Sequence, residues 1–175
     1  MRIDYKELTI RNAEAADAAQ LTAWWNDGSV MAHAGYPKGL GTTVETVTAE
    51  LAAHTDDTKR RLILEISGEP VGEMSYRNLN DGSVEIGIKI CDRSKQEKGH
   101  GRTFLSMLIS ELFTMGYQKI VLDTNWNNKR AQHVYESLGF QKVRFEEKAW
   151  QDQLGQWQGS VDYELLPEDF IDYRN

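Results

Sequence analysis

The chain of 175 residues is 40% hydrophobic and 27% charged, the proportions of a folded globular domain, and is long enough to bury a core. Its formal net charge of −7 argues against a dedicated nucleic-acid binder, which needs clustered Lys and Arg, and no apolar run approaches the roughly 20 residues that span a bilayer. The charged start Met1 to Glu7 has no apolar signal core and Cys91 is the only cysteine, so no intrachain disulfide is expected and a cytoplasmic location is the default.

No repeat, low-complexity tract or Pro/Gly/Ser linker interrupts the sequence, so one domain over residues 1–175 is the simplest organisation. Leu8 to Arg11 reads as a short strand. A helix follows from Asn12 or Ala13, with Ala16, Ala19, Leu21 and Trp24 on its buried side. Gly28 to Gly41 holds four glycines and Pro37 and reads as loop. Thr42 or Thr43 can cap a second helix carrying Val44, Val47 and Leu51. Arg61 to Ile66, Val71 to Arg77 and Val84 to Cys91 are strands separated by the turns Ser67-Gly68-Glu69-Pro70 and Asn80-Asp81-Gly82-Ser83. In the third, Val84, Ile86, Ile88 and Ile90 face one way and Glu85, Gly87 and Lys89 the other. Together they make an antiparallel meander.

From Phe104 the period changes. Leu105, Leu108, Ile109, Leu112 and Phe113 mark a helix that ends near Gly116. Ile120-Val121-Leu122 is a buried strand, about Asn128 to Leu138 a helix, and Val143 to Lys148 with Val161 to Leu166 a final pair of strands. The fold class is therefore α+β with a mixed sheet.

Gln96-Glu97-Lys98-Gly99-His100-Gly101 lies between a strand and a helix. Two glycines let the backbone approach a ligand, and the helix behind them offers unpaired N–H groups and a positive dipole end. That is a cradle for a pyrophosphate, with Lys98 and Arg102 adding charge. A dinucleotide fingerprint would need glycine at Phe104, and a P-loop would need Gly-Lys-Ser/Thr where the chain has Gly101-Arg102-Thr103, so both fail.

The motif resembles the Gln/Arg-x-x-Gly-x-Gly/Ala signature of the GNAT N-acetyltransferase superfamily, matched by Gln96, Gly99 and Gly101. Asn128-Lys129-Arg130-Ala131 through Tyr135 to Gly139-Phe140 looks like its later Asn-x-x-Ala-x-x-x-Tyr-x-x-x-Gly-Phe motif. Trp24-Trp25-Asn26-Asp27, Glu85-Ile86-Gly87 and the late Trp157 before Tyr163-Glu164 are similar to the branch that acetylates ribosomal-protein N-termini and related amines.

The resemblance implies a sheet with helices on both faces, in which the meander's last strand and the next strand splay apart. It implies acetyl-CoA as co-substrate. The pantetheine arm would pair with the backbone of Ile88, Lys89 and Ile90. The pyrophosphate would rest on Gln96, Glu97, Lys98, Gly99, His100, Gly101 and Arg102, and Asn128 would touch the arm. An alkyl amine, with a pKa near about 10, must lose a proton before it attacks the thioester, and a carboxylate can take it. Glu85 is the first candidate base and Glu73 the second; Tyr135 is the candidate acid for the departing thiolate. No metal is expected, because His33, His54, His100 and His133 form no ligand pattern.

Trp24 is expected in the core, with Trp25, Tyr36 and Trp157 around an acceptor pocket as strongly supported as plain packing. The expected acceptor is an amine: a protein N-terminus, a metabolite or an aminoglycoside-like antibiotic. No nucleic acid or membrane partner is expected, and a homodimer is implied by the resemblance alone. A non-catalytic acyl-CoA-binding sensor on the same fold is the alternative, and a degenerate interaction protein is disfavoured by the intact Gln96, Gly99 and Gly101.

Overall fold

Alternating apolar residues build one eight-stranded sheet, and helices cover both of its faces. In the computed structural model, which describes residues 1–174, the strands are β1 (Arg2–Tyr5), β2 (Leu8–Asn12), β3 (Lys59–Ile66), β4 (Glu69–Asn78), β5 (Ser83–Ile90), β6 (Lys119–Asn125), β7 (Gln141–Gln151) and β8 (Trp157–Leu165). Their order across the sheet is β1-β2-β3-β4-β5-β6-β8-β7. Every neighbouring pair is antiparallel except β5 and β6.

The helices are α1 (Ala18–Trp25), α2 (Gly28–Met31), α3 (Val44–Ala52), α4 (His100–Thr114) and α5 (Lys129–Ser137). The large core lies on one face of the sheet. There Leu62, Leu64, Met74, Tyr76, Val84 and Ile86 pack against Phe104, Leu105, Leu108 and Leu112 of α4 and against Tyr135 of α5. On the other face Ile63 meets Ala18, Leu21 and Trp25 of α1 and Val47 and Leu51 of α3 in a smaller cluster. Adjacent residues of β3 thus serve opposite cores, as period-two geometry requires.

The meander, the Thr43 cap and the late hairpin agree with the sequence reading; Thr43 Oγ1 accepts from Thr46 N at 3.2 Å. Four details differ. The charged N-terminus forms β1, an edge strand on β2. The stretch read as loop contains α2, whose cap Asp27 accepts from Ser29 N at 2.9 Å. β6, β7 and β8 are longer than their apolar centres. In α1, Trp25 is 5% exposed and joins the core while Trp24 packs at its edge. A 3₁₀ turn at Ala15–Asp17 precedes the helix, so the buried positions are 18, 21 and 25 rather than a set phased from 16.

The feature that positions the site is the β5–β6 pairing. It includes Ser83↔Lys119, Val84↔Ile120 and Glu85↔Val121, and then stops. Beyond Glu85 the two strands diverge, leaving the β6-facing peptide groups of residues 86–90 without a strand partner.

Candidate active site

Where β5 and β6 part, a cleft runs through the sheet. One cavity, about 400 Å³, opens on the α1–α3 face; its lining includes Arg61, Glu73, Lys89, Asp123 and Trp150. The other, about 430 Å³, opens between α4 and α5 over Gln96, Gly99, Gly101 and Arg102. Ile88, Asn128 and Tyr135 line both, so the two cavities meet at these residues.

The α4–α5 side has the features of a phosphate cradle. Gly99 caps α4 with φ 82° and no side chain fills the cap, so the first-turn N–H groups of α4 remain available. A Cβ built on Gly99 or Gly101 would meet nothing, which means open space lies over both. The loop is braced from its flanks. Gln96 Nε2 donates to Ile90 O at 2.8 Å, and Arg130 Nη1 pairs with Glu97 at 2.6 Å. Gln96 therefore acts on the strand rather than toward the cavity by that bond. Lys98 is exposed, and Arg102 stacks its guanidinium over the Tyr173 ring at 4.7 Å. Asn128 caps α5, its Oδ1 accepting from Ala131 N at 3.1 Å, which leaves its amide nitrogen free of protein partners among the described residues. This geometry can hold a diphosphate at α4 and lead its arm along residues 88–90 to Tyr135.

The α1–α3 side is polar. The register aligns Arg61, Ser75 and Gly87 in one row across β3, β4 and β5. Extending the β5–β6 register by two residues sets Asp123 in that row across the gap, beside Asp162 of β8. Asp123 faces the cavity, and Ser160 Oγ donates to it at 3.5 Å. Its surroundings hold its carboxyl above the usual carboxylate range. Partial loss of solvation is the first cause, although the side chain still opens to solvent through the cavity, and the carboxylates of Glu85 and Asp162 add to it. Tyr135 is pushed up to about 12, first by burial and then by the charge of Asp123. Its hydroxyl makes no hydrogen bond to any described residue, and it stands at the junction of the two cavities.

The two glutamates named from the sequence stand apart. Glu73 lines the cavity and is 4% exposed. It accepts from Trp25 Nε1 at 3.0 Å and lies 3.5 Å from Arg61 and 3.8 Å from Lys89. Glu85 is outside the cavity lining and pairs with Arg77 at 3.0 Å at the surface. Trp25 is core; Trp157 is 53% exposed, and Trp150 is the tryptophan that faces the cavity. The sequence reading passed over Asp123, treating 120–122 as a wholly buried strand. Its signal was the alternation Ile120, Leu122 against Val121, Asp123, Asn125.

A family model described as Acetyltransferase (GNAT) domain matches residues 7–141. The fold is similar to that of a spermidine N-acetyltransferase from Vibrio cholerae in complex with CoA and spermine, with TM-score 0.83, 22% identity and coverage of 94% of this chain and 98% of that one. It is also similar to a ribosomal L7/L12 alpha-N-protein acetyltransferase in complex with coenzyme A, with TM-score 0.83, 16% identity and coverage of 95% and 98%. A ribosomal-protein-alanine N-acetyltransferase from Brucella melitensis aligns with TM-score 0.77 and 23% identity over 90% of this chain and 98% of that chain. An uncharacterized protein of Methanocaldococcus jannaschii is 35% identical over 74 residues, which is 42% of this chain and 15% of that protein. The chain thus spans a small part of that relative's length. With the family model spanning the meander, the phosphate loop and the Asn128–Phe140 segment, this chain belongs to the GNAT acetyltransferase family.

Proposed function

We propose that the protein is an N-acetyltransferase that moves the acetyl group of acetyl-CoA directly onto a primary amine. The observation that carries this reading is the through-sheet cleft, which joins an open α4 N-terminus on one side to a carboxylate-bearing cavity on the other at Tyr135. The CoA-bound acetyltransferases of the same fold support the donor.

In this mechanism the thioester carbonyl lies in the gap near Tyr135 and the amine enters from the Asp123 side. Asp123, directly or through a water, takes the proton of the ammonium form. The amine nitrogen then forms a bond to the thioester carbon; as the C–S bond breaks, Tyr135 gives its proton to the departing sulfur and regains one from the second proton that the new amide nitrogen loses, while Asp123 passes the first to solvent. Glu85 acts on Asp123 through its charge, and Glu73 holds the neighbouring cations in place. Loop residues 96–102 and Asn128 bind the donor, and Ile88, Lys89 and Ile90 present strand backbone to its arm.

The test is continuous detection of free CoA thiol with amine acceptors, in the wild type and in Asp123→Asn. The reading expects acceptor-dependent thiol release in the wild type and its loss in the variant. Acetyl-CoA binding with no thiol release for any peptide, polyamine or metabolite amine would make the protein an acyl-CoA-binding module instead.

A further inference from the structure

Around Glu73 the polar cavity gathers more positive than negative charge. Glu73 is buried and needs one counter-ion. Two cations approach it, and both at long range: Arg61 Nη1 at 3.5 Å and Lys89 Nζ at 3.8 Å. Among the described residues the Lys89 ammonium otherwise reaches only the Met31 sulfur, at 3.2 Å, and a thioether is a weak acceptor. Among the described residues Arg61 Nε has no partner and is sealed from the cavity, so the guanidinium, 4.9 Å from the Trp25 ring centre, offers a ligand its terminal nitrogens. Glu73 Oε2 is already taken by Trp25 Nε1. Both cationic side chains line the cavity and are about one-quarter exposed or less, at 21% and 24%.

A chain with a net charge of −7 thus gathers two cations about one carboxylate at the Glu73 end of its polar cavity, with Asp123 as the carboxylate of the opposite end. Unmet buried donors are costly, and a guanidinium beside an ammonium is a ready receptor for a carboxylate. The floor between this pair and Asp123 is made of Ser75 and Gly87, the two smallest side chains of the row, so nothing bulky divides the two ends. Lys89 lies two residues beyond Gly87 along β5, so its Cα is about 8 Å or more from that of Asp123 across the gap.

We infer that the acceptor is an amine carrying an anionic group a few bonds away, with the amine at Asp123 and the anion held by Arg61 and Lys89. This rests on the acetyltransferase reading for its amine end. Two sources supply that chemistry: a peptide N-terminus followed by an acidic residue, or a small amino acid. A purely cationic acceptor would place its second charge against the same pair and be repelled.

The experiment compares matched acceptors at saturating acetyl-CoA. The peptide arm pairs an Ala-Glu N-terminal peptide with its Ala-Gln counterpart. The small-molecule arm pairs 4-aminobutyrate with 4-aminobutyramide. The acidic member of at least one pair is expected to have about tenfold higher kcat/KM, about 1.4 kcal/mol, and that ratio is expected to collapse toward one in Lys89→Met. Which arm shows it identifies the source. Neutral members used as well as acidic ones in the wild type would overturn the inference and leave acetyl transfer intact.

A binding measurement keeps the two readings separable. Calorimetry of the CoA-loaded protein with butyrate, a monoanion that puts no second carboxylate against Asp123, is expected to give saturable binding that weakens about tenfold in Lys89→Met, with butyramide not binding. Absence of butyrate binding would contradict the anion subsite whether or not any amine is acetylated.

Discussion

At the scale of single residues, the proposed proton transfer turns on Asp123. Its folded-state pKa is raised, so the native protein holds this proton more tightly than the unfolded chain does. Stability from this group is present at low pH and declines as pH rises from the ordinary carboxylate range through the raised value. At pH 7 the ionised side chain therefore works against folding. Asp123→Asn is expected to lower kcat by about 10²–10⁴-fold and to raise the thermal midpoint at pH 7, with the gain disappearing near pH 3. Calorimetric melts across pH and thiol-release kinetics on one preparation check both halves.

Glu85→Gln removes a negative charge that raises the Asp123 pKa, so the acidic limb of kcat/KM is expected to move to lower pH, with only a modest loss at neutral pH. An unmoved limb would separate Glu85 from the reaction. Tyr135→Phe is expected to slow turnover by about 10²-fold at most, at the low end for a proton donor, because a thiol leaves readily. The sequence supplied Tyr135, Glu73 and Glu85 as individuals. It could not rank the acids, because rank depends on which side of the parting strands each one faces and on what pairs with it.

At the scale of elements, the late hairpin is tied to the α1–α3 region. Gln153, in the turn between β7 and β8, donates its backbone N–H to Gly35 O at 2.8 Å and its Nε2 to Gly39 O at 3.0 Å, and its Oε1 accepts from Lys38 N at 2.8 Å. A Cβ at Gly35 would collide with the Trp150 ring, so the helix-to-loop segment packs directly on the tryptophan that walls the polar cavity. Gln153→Ala removes the two side-chain bonds and keeps the backbone one. It is expected to raise the acceptor KM several-fold while the acetyl-CoA Kd stays put, about 1 kcal/mol of lost ordering. Equal changes in both constants would mean the strap serves the whole fold.

Local pattern revealed most of these elements but not their phase or reach. The exchange of Trp24 and Trp25 follows from a 3₁₀ turn that hydrophobic spacing does not encode. β7 extends beyond the expected Val143–Lys148 over polar residues such as Gln141, Lys142 and Gln151 because β8 supplies their strand partners, which is a tertiary effect invisible to alternation. β1 is similar: a charged segment becomes a strand because β2 offers an edge.

At the scale of the molecule, the sheet does two jobs with one irregularity. It is continuous enough to bury Tyr76, Tyr163 and Phe104 at 1% exposure or less, and it opens at one seam after Glu85. The seam was legible as a likeness, through Gln96, Gly99, Gly101 and the Asn128–Phe140 segment. Its physical origin is that β5 and β6 are joined through α4 in parallel and diverge after three registered pairs. The cavities on the two faces then differ in chemistry because alternation sends Ile90 to one face and Lys89 to the other.

The most direct test of the central claim uses Gly101, whose Cβ position is open and whose φ is not positive, so the fold tolerates a side chain there. Acetyl-CoA is titrated calorimetrically into the wild type and into Gly101→Glu, with NAD and ATP as controls and melting curves on both proteins. Selective acetyl-CoA binding is expected of the wild type, weakened at least about a hundredfold in the variant, with similar melting. Undiminished acetyl-CoA binding by folded Gly101→Glu, or none by the wild type, would contradict the assignment of the α4 N-terminus as the donor site.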